Sequence, residues 1–340
     1  MSDLFEKLLL YRLPGVGAVK YAELVHRYGD VSSAVKYLNV PVELKDAVLR
    51  EMEQANKLNV HYISDDDFRY PKYLKQIKNH PPVIAVRGNI DILGRQMVGI
   101  VGTRHATAAG QQLVADIAEN FTAHDVVVVS GMAIGTDSAA HYGALRTNGM
   151  LQTIAVLAGG VDYIWPLENE KLYHEIIERG AVISEMPVGF CPKATNFVQR
   201  NRWIAGLCEK LILGEADMRS GSMTTARFAI EYGRDVWAIP SHPLDSRALG
   251  PNSLIRSGDA MLCMGPQDFF QDVKKEKNNK KNIAKNDSNN SLVDNLGNIP
   301  VSESVLAEIV KKTISEIKSD LVVLELQGLV RKVNGGYVKA

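Results

Sequence analysis

The residues best suited to chemistry lie in one stretch, from Lys193 to Ala226. Two arginines, Arg200 and Arg202, stand ahead of an apolar helical pattern, and a Ser-Gly-Ser turn at Ser220 opens the next helix. Arginine side chains and the free N–H groups of a helix N-terminus both bind anions. The stretch offers no acid and base set suited to proton transfer. It therefore predicts a site that holds a phosphodiester backbone without cutting it.

An aromatic side chain, Phe197, lies just before the arginine pair. Aromatic residues beside cations are typical of single-strand binding, because bases stack at about 1–3 kcal/mol each while cations follow the backbone. Phe197 as a core residue is an equally good interpretation. A carboxylate such as Glu185, Glu215 or Asp217 could balance the arginines in place of a phosphate, and the pattern does not fix where their helix starts.

A second anion-binding candidate is the loop Gly102-Thr103-Arg104, which follows an apolar run and precedes a helix. The glycine spacing of a dinucleotide site is missing, so a pyrophosphate has no close backbone approach. The projecting guanidinium suits a phosphate or a base held further out. The alternative is an ion pair between Arg104 and a nearby acid, such as Asp137 or Glu185.

These loops must be positioned by the elements around them. Between Gln96 and about Met264, apolar runs such as VVVVS and TIAVLA alternate with amphipathic stretches. Continuous Val, Ile and Leu runs between helices predict strands buried on both faces, hence a doubly wound, mostly parallel sheet of the α/β class. Ligands of such sheets bind at the carboxyl ends of the strands, where all the special loops fall.

The flanking segments predict four domains or linkers: helical 1–60, the sheet domain 61–271, a Lys/Asn-rich linker 272–297, and a tail 298–340 with two or three helices and a β-hairpin. The tail pattern is that of a small winged helix, and the small number of cations on its presumed recognition helix favours docking over DNA binding. The turn Leu13–Gly17 resembles a helix-hairpin-helix junction. It either contacts a phosphate or is a plain tight turn.

Composition narrows the function classes. With 39 Lys plus Arg and 39 Asp plus Glu, the chain has no net charge, so any nucleic-acid site must be a local patch. Three widely spaced cysteines indicate a reducing cytoplasm, and no apolar run approaches the length of a membrane span. We expect structural roles for His141, Asp162 and Glu168, and we expect neither a metal nor a cofactor.

Several motifs together resemble the DprA/Smf (DNA processing protein A) family. They are VGIVGTRHATAAG, VVSGMAIGTDSAAHYGAL, TIAVLAGGVDYIWPLEN, ISEMP, NFVQRNRWIAGL and SGSMTTARFAIEYGRDVWAIPS. The resemblance covers nearly the whole chain. It implies an extended Rossmann-like domain between a SAM-like domain and a winged helix. It also implies non-enzymatic binding of single-stranded DNA, a homodimer, and loading of RecA on that DNA during natural transformation in competent cells.

The resemblance also assigns the DNA-binding residues. The G-[ST]-R loop corresponds to Gly102, Thr103 and Arg104. The F-P-x-R-N-R segment corresponds to Phe197, Arg200, Asn201 and Arg202, with Lys193 as a basic residue ahead of it. The phosphate loop S-G-[ST]-x-x-T-A corresponds to Ser220, Gly221, Ser222 and Thr225. The chain departs from the family pattern at Val198, Ile134 and Ser241, which stand where a proline, an arginine and a glycine are usual.

The four cations of this set, Arg104, Lys193, Arg200 and Arg202, predict a salt dependence. At about −0.7 per neutralised phosphate, log K should fall with log salt at a slope near −3. The alternative function is a nucleotide-processing enzyme that cleaves a base from a ribose phosphate. Such enzymes share a PGGxGTxxE motif, of which this chain has only a fragment at Ala158–Asp162. A docking scaffold would leave the arginine cluster unused.

Overall fold

A computed structural model of the chain describes residues 2–270, 292–293, 295–297, 300–333 and 336–339. These residues fall in two compact units, Met1–Phe270 and Gln271–Ala340. The first unit contains both the predicted helical segment and the sheet, so the boundary at residue 60 stays a prediction. The predicted linker, 272–297, lies almost entirely outside the described residues.

The chain begins with four helices, within the segment 1–60 that the sequence predicts to be helical. They are α1 (Ser2–Tyr11), α2 (Ala18–Tyr28), α3 (Val31–Tyr37) and α4 (Val42–Lys57). Helix α3 is short, and the Asp30 carboxylate caps it by accepting a hydrogen bond from the Ser33 N–H at 2.7 Å. Leu10, Tyr21 and Leu24 are buried in the same apolar core as the sheet.

The first unit is built on a nine-stranded sheet. The strands are β1 (Val60–Ser64), β2 (Val83–Gly88), β3 (Met97–Val101), β4 (Val127–Ser130), β5 (Thr153–Val156), β6 (Ala181–Ser184), β7 (Lys210–Leu213), β8 (Asp235–Ala238) and β9 (Met261–Leu262). Their order is β1-β2-β6-β5-β4-β3-β7-β8-β9. The seven strands from β6 to β9 in this order pair in parallel, and β2 and β1 add antiparallel to one edge. The predicted α/β class with a mostly parallel sheet is confirmed.

Helices cover both faces of this sheet, as the unbroken Val and Ile runs predicted. They are α5 (Lys72–Lys75), α6 (Ala108–Ala123), α7 (Thr136–Ala144), α8 (Glu170–Arg179), α9 (Ala194–Leu207), α10 (Gly221–Glu231) and α11 (Leu249–Ser257). On strand β4, Val127 and Val129 lie in the core shared with α9 and α10, whereas Val128 lies in the core shared with α6 and α7. This alternation is the period of two that a strand imposes.

Strand β3 is the point at which successive strands change from one side of the sheet to the other. From β3 the connections lead to β4, β5 and β6 on one side, whereas β7, β8 and β9 follow on the other. The loops that leave the carboxyl ends of β3 and β7 therefore turn away from each other and leave a crevice between them. This switch point is where ligands bind in open α/β sheets.

Among its described residues, the second unit has two helices and a hairpin at the positions that the sequence predicts. They are α12 (Glu303–Val310), α13 (Ile314–Leu326), β10 (Val330–Val333) and β11 (Gly336–Lys339). Leu306, Leu321, Leu324 and Tyr337 form its buried core. The two middle residues of the hairpin turn lie outside the described residues. The assignment as a winged helix stays a prediction.

Candidate nucleic-acid interface

A cavity of about 370 Å³ lies at the switch point of the sheet. Its lining comes from the loop after β3, the start of α7, the middle of α9 and the start of α10. The lining includes most of the predicted site, namely Gly102, Thr103, Arg104, Phe197, Arg200, Asn201, Ser220, Gly221, Ser222 and Thr225. Lys193 and Arg202 do not line it. The structure thus brings three distant segments of sequence to one crevice.

The loop after β3 is fixed by its neighbours on both sides. The Thr103 N–H donates to the Glu215 carbonyl at 2.6 Å, and the Thr103 carbonyl accepts from the N–H and hydroxyl of Thr136, both at 3.1 Å. A Cβ on Gly102 would lie 2.4 Å from the Thr136 hydroxyl oxygen. Glycine is therefore needed here for space, and the clamped loop directs the next residue, Arg104, outward.

Arg104 is exposed and stacks on an aromatic side chain that the sequence analysis did not select. Its guanidinium carbon lies 5.0 Å from the ring centroid of Trp165, and that ring meets Phe197 edge-on at 4.7 Å. Neither predicted acid pairs with Arg104 in the described residues, because Asp137 is buried and Glu185 accepts from the Tyr11 hydroxyl at 2.7 Å. We call Arg104, Trp165 and Phe197 the aromatic rim.

The Ser-Gly-Ser turn forms the opposite wall. The Ser220 side chain caps α10 by accepting from the Met223 N–H at 3.4 Å, and its hydroxyl lies 2.8 Å from that of Ser222. The N–H groups of Gly221 and Ser222 are among those for which helix geometry provides no intrahelical acceptor. Ser220 is thus the N-cap of α10, and the free N–H groups of Gly221 and Ser222 allow this wall to bind an anion.

Arg200 lies at the bottom of the cavity and is only 6% exposed. Its Nη1 donates to the carbonyl oxygens of Gly131 at 2.6 Å and Val156 at 2.5 Å. Gly131 directly follows strand β4, and Val156 is the last residue of strand β5. Its Nε donates to the Asn201 Oδ1 at 3.2 Å, and the Asn201 Nδ2 donates to the Gly221 carbonyl at 3.2 Å. Arg200 therefore links two strand ends to the start of α10.

One glycine, Gly131, and one acid, Asp137, lie beside Arg200 at the bottom of the cavity. A Cβ on Gly131 would lie 2.3 Å from the Arg200 Nη1 and 2.7 Å from the Asp137 Oδ2. Asp137 accepts from the Ala133 N–H at 3.4 Å, and burial raises the pKa of its carboxyl although the charge of Arg200 opposes this. We call Gly131, Asp137 and Arg200 the buried floor.

His141 supports the floor from α7. Its Nδ1 lies 2.7 Å from the Thr153 hydroxyl, and burial, with the charge of Arg200, lowers the pKa of its imidazole to about 3. The predicted structural role of His141 is confirmed. Asp162 also has a structural role, because its carboxylate accepts a hydrogen bond from the Gly189 N–H at 2.8 Å.

The structure separates the two arginines that the sequence analysis grouped. Helix α9 starts at Ala194, so both lie well inside it, and two residues correspond to about 200° around a helix. Arg202 points to the other face, where its Nη2 donates to the Asn79 carbonyl at 3.2 Å and its guanidinium carbon lies 4.3 Å from the Trp203 ring centroid. The predicted phosphate contacts of Arg200 and Arg202 are not tested, but they cannot arise in one shared cluster.

Of the remaining predicted residues, Lys193 is exposed just before α9, and its own N–H donates to the Asn196 Oδ1 at 2.8 Å. Of the departures, Val198 lines the cavity and is exposed, and Ile134 is exposed just before α7. The Ser241 N–H donates to the Asn252 Oδ1 at 3.3 Å. The three departures, Val198, Ile134 and Ser241, therefore add no charge to the cavity.

Three further sequence expectations concern features outside the cavity: a metal site, a membrane span and the glycine turn after α1. Within the described residues, no group of three or more His, Cys, Asp or Glu side chains could hold a metal ion. The described helices include none with the length and apolar character needed to cross a membrane. The glycine turn after α1 is closed by a hydrogen bond from the Val16 N–H to the Leu13 carbonyl at 3.0 Å.

Comparisons with known proteins agree with this geometry. The model of a family described as DNA recombination-mediator protein A matches residues 61–274. The protein Smf of Escherichia coli is 31% identical over 318 residues, which cover 90% of this chain and 83% of that protein. The protein Smf of Synechocystis is 39% identical over 215 residues, covering 62% of this chain. The matched segment spans only 54% of that relative's own length.

Two solved structures have the same fold. The DNA processing protein A of Streptococcus pneumoniae is 31% identical, with a TM-score of 0.65, over 78% of this chain and 96% of that one. The corresponding protein of Helicobacter pylori is 30% identical, with a TM-score of 0.57, over 64% of this chain and 97% of that one. The latter structure is described as showing a single-stranded DNA binding mode.

Proposed function

Because the chain belongs to the DNA recombination-mediator protein A family, we propose that it is a cytoplasmic, non-enzymatic protein that binds single-stranded DNA in the cavity at the switch point. It would protect incoming DNA during natural transformation and load RecA on that strand. We propose a homodimer as its assembly. These finer properties rest on the resemblance of the motifs and on the chemistry of the cavity.

The observation that carries the proposal is the aromatic rim beside the start of α10. Arg104 offers an exposed guanidinium that no carboxylate of the described residues neutralises, and Trp165 holds it in place by stacking. A cation, aromatic rings and free helix N–H groups around one crevice are what an unpaired polynucleotide needs. A duplex hides its base faces and cannot use the rings.

Each part of the cavity would bind a different part of the strand. Arg104 would bind a phosphate, with Lys193 as a second cation near the start of α9. The N–H groups of Gly221 and Ser222 would donate to the next phosphate oxygens. Phe197 and Trp165 would stack on or enclose a base. Arg200 would act through Asn201, by keeping the start of α10 at the right distance from the rim.

A non-enzymatic role is consistent with how the acid of the cavity is used. The Asp137 carboxylate accepts a backbone N–H of its own loop and balances the buried charge of Arg200. A general acid or base would need a proton path to a ligand instead. Incubation with nucleoside monophosphates tests the alternative enzyme directly. Release of free base, above the level given by heat-denatured protein, would overturn the non-enzymatic proposal.

Gel-shift titrations of single-stranded and double-stranded DNA of one sequence test the binding function. We expect a shift with the single strand at protein concentrations that leave the duplex free. For a short strand that fills this cavity, the two cations Arg104 and Lys193 give a slope of log K against log salt near −1.4, at about −0.7 each. Equal binding of both DNA forms, or a slope of zero, would contradict the proposal.

The RecA step needs its own assay. RecA should assemble faster on a single strand already coated by a single-strand-binding protein when this protein is added. The matched control is the same reaction with the Arg104→Ala variant, which should give no acceleration. Equal acceleration by the wild type and by Arg104→Ala would show that RecA loading does not depend on DNA binding in the cavity.

A further inference from the structure

A second groove lies on the face of α9 that points away from the cavity. It has a volume of about 490 Å³, and Arg202 lies in its lining. The other side chains that matter here are Lys78, ahead of β2, Arg234, ahead of β8, and two aromatic residues at the end of α10, Phe228 and Tyr232. We call this surface the Arg202 groove.

The groove carries an excess of positive charge. Lys78, Arg202 and Arg234 line it, against the one lining carboxylate of Glu231. In the part of the chain that the structure describes, none of the three cations forms an ion pair. Lys78 is exposed. Such a concentration of unneutralised cations in a neutral protein attracts anions locally.

The two arginines are held in fixed orientations with donors to spare. Arg202 stacks on Trp203 at 4.3 Å and donates to the Asn79 carbonyl at 3.2 Å. Arg234 stacks on Tyr73 at 4.8 Å and donates to the carbonyl oxygens of Tyr73 at 2.8 Å and Gly206 at 3.4 Å and to the Gln76 Oε1 at 3.4 Å. The Nε of each arginine is buried without a hydrogen-bond partner. Each guanidinium has four N–H groups on its two Nη atoms, so three remain for a ligand on Arg202 and one on Arg234.

The groove also offers flat apolar surfaces and continues past Arg202. The rings of Phe228 and Tyr232 are nearly parallel, at 12°, with centroids 6.1 Å apart. Val19 and Arg202 line both this groove and an adjoining cavity of about 530 Å³, which is bordered by the glycine turn before α2. An elongated surface with cations and aromatic rings fits a chain of nucleotides better than one small anion.

We infer that the Arg202 groove binds a second segment of single-stranded DNA, separate from the segment in the cavity. The ligand class rests on the proposed function, whereas the site is independent of it. Helix α9 would then lie between two strands, one facing Arg200 and the aromatic rim, the other facing Arg202. The protein would hold two single-stranded segments side by side on one protomer.

Native mass spectrometry with hexathymidylate tests this inference on the full chain. We expect two hexathymidylate molecules per wild-type protomer at saturation. The variant Lys78→Gln/Arg202→Gln should weaken one of the two binding steps about tenfold, Arg104→Ala should weaken the other by about the same factor, and the combination of all three changes should weaken both. The matched control is Lys36→Gln/Lys45→Gln, which removes the same charge from exposed positions on α3 and α4 that line neither site, and it should bind two.

The outcomes distinguish the two proposals. A wild-type protein that binds one molecule, in a step that Arg104→Ala weakens, would overturn the groove and leave the cavity in place. A step that Lys78→Gln/Arg202→Gln weakens, with no step weakened in Arg104→Ala, would support the groove and contradict the cavity. If the double variant does not fold by circular dichroism, Lys78→Gln alone decides. It should weaken the second binding step roughly two- to fivefold, and an unchanged step would overturn the inference.

Discussion

The buried floor and the aromatic rim of one cavity use the same side chain in opposite ways. Arg200 on the floor donates to two carbonyl oxygens at 2.6 and 2.5 Å and is almost fully buried. Arg104 on the rim is exposed and stacks on Trp165 at 5.0 Å. Burial makes a guanidinium a cross-link of the fold, whereas exposure leaves its charge for a ligand. Changes in the floor should therefore lower stability, and changes in the rim should lower binding.

The largest expected effect is that of Arg200→Ala on the floor. It leaves the carbonyl oxygens of Gly131 and Val156 without their donor and removes the positive charge that faces Asp137. We expect the free energy of unfolding to fall by about 3–5 kcal/mol, measured by urea denaturation. The control is Arg202→Ala on the same helix, for which the loss of one hydrogen bond predicts about 1 kcal/mol. Equal losses in the two variants would contradict the distinction.

The floor also depends on a missing side chain. In Gly131→Ala the new methyl group would lie 2.3 Å from the Arg200 Nη1, so the arginine would have to leave its carbonyl partners. We expect a loss of about 2–3 kcal/mol in the free energy of unfolding. Gly221→Ala is the matched change at the wall, where the nearest atom, Asn201 Nδ2, would be 3.5 Å away. It should leave stability within about 0.5 kcal/mol of wild type.

The pH dependence of stability gives a third test of the floor. Burial lowers the pKa of His141 to about 3, so the unfolded chain binds a proton near pH 6.5 that the folded chain rejects. Stability is therefore fully present above pH 6.5 and falls as the pH drops toward 3. At pH 5 the expected loss is about 2 kcal/mol, at 1.36 kcal/mol per pH unit.

His141→Asn isolates this contribution, because an amide can occupy the position of the Nδ1 near Thr153 without titrating. Urea denaturation at pH 7 and pH 5 should show a smaller loss of stability in the variant than in wild type, by about the same 2 kcal/mol. Identical losses in the two proteins would show that His141 accepts a proton in the folded state.

The sequence predicted the position of the site on the sheet better than the arrangement of the side chains within it. Unbroken runs such as VVVVS predicted buried parallel strands, and the rule that loops meet at the carboxyl edge brought Gly102 and Ser220 together correctly. The grouping of Arg200 with Arg202 was less successful, because the start of α9 was not fixed. Once the helix is known, a spacing of two residues already places the two side chains on opposite faces.

Other features could not be predicted from local patterns. Trp165 reaches the rim through an irregular loop after β5, and no periodicity indicates where such a side chain points. The antiparallel strands β1 and β2 lie ahead of the alternating region and were not recognised as part of the sheet. The need for glycine at position 131 becomes visible only when the path of the Arg200 side chain is known.

The smallest expected free-energy change, and the most direct test of the central claim, is that of Arg104→Ala on the rim. Fluorescence anisotropy with labelled hexathymidylate should show affinity about tenfold lower for the cavity, which corresponds to about 1.4 kcal/mol, with the thermal midpoint unchanged. The control is Arg27→Ala, which removes an exposed arginine of α2 that does not line the cavity and should bind like wild type. Equal affinity of Arg104→Ala and wild type would contradict the account.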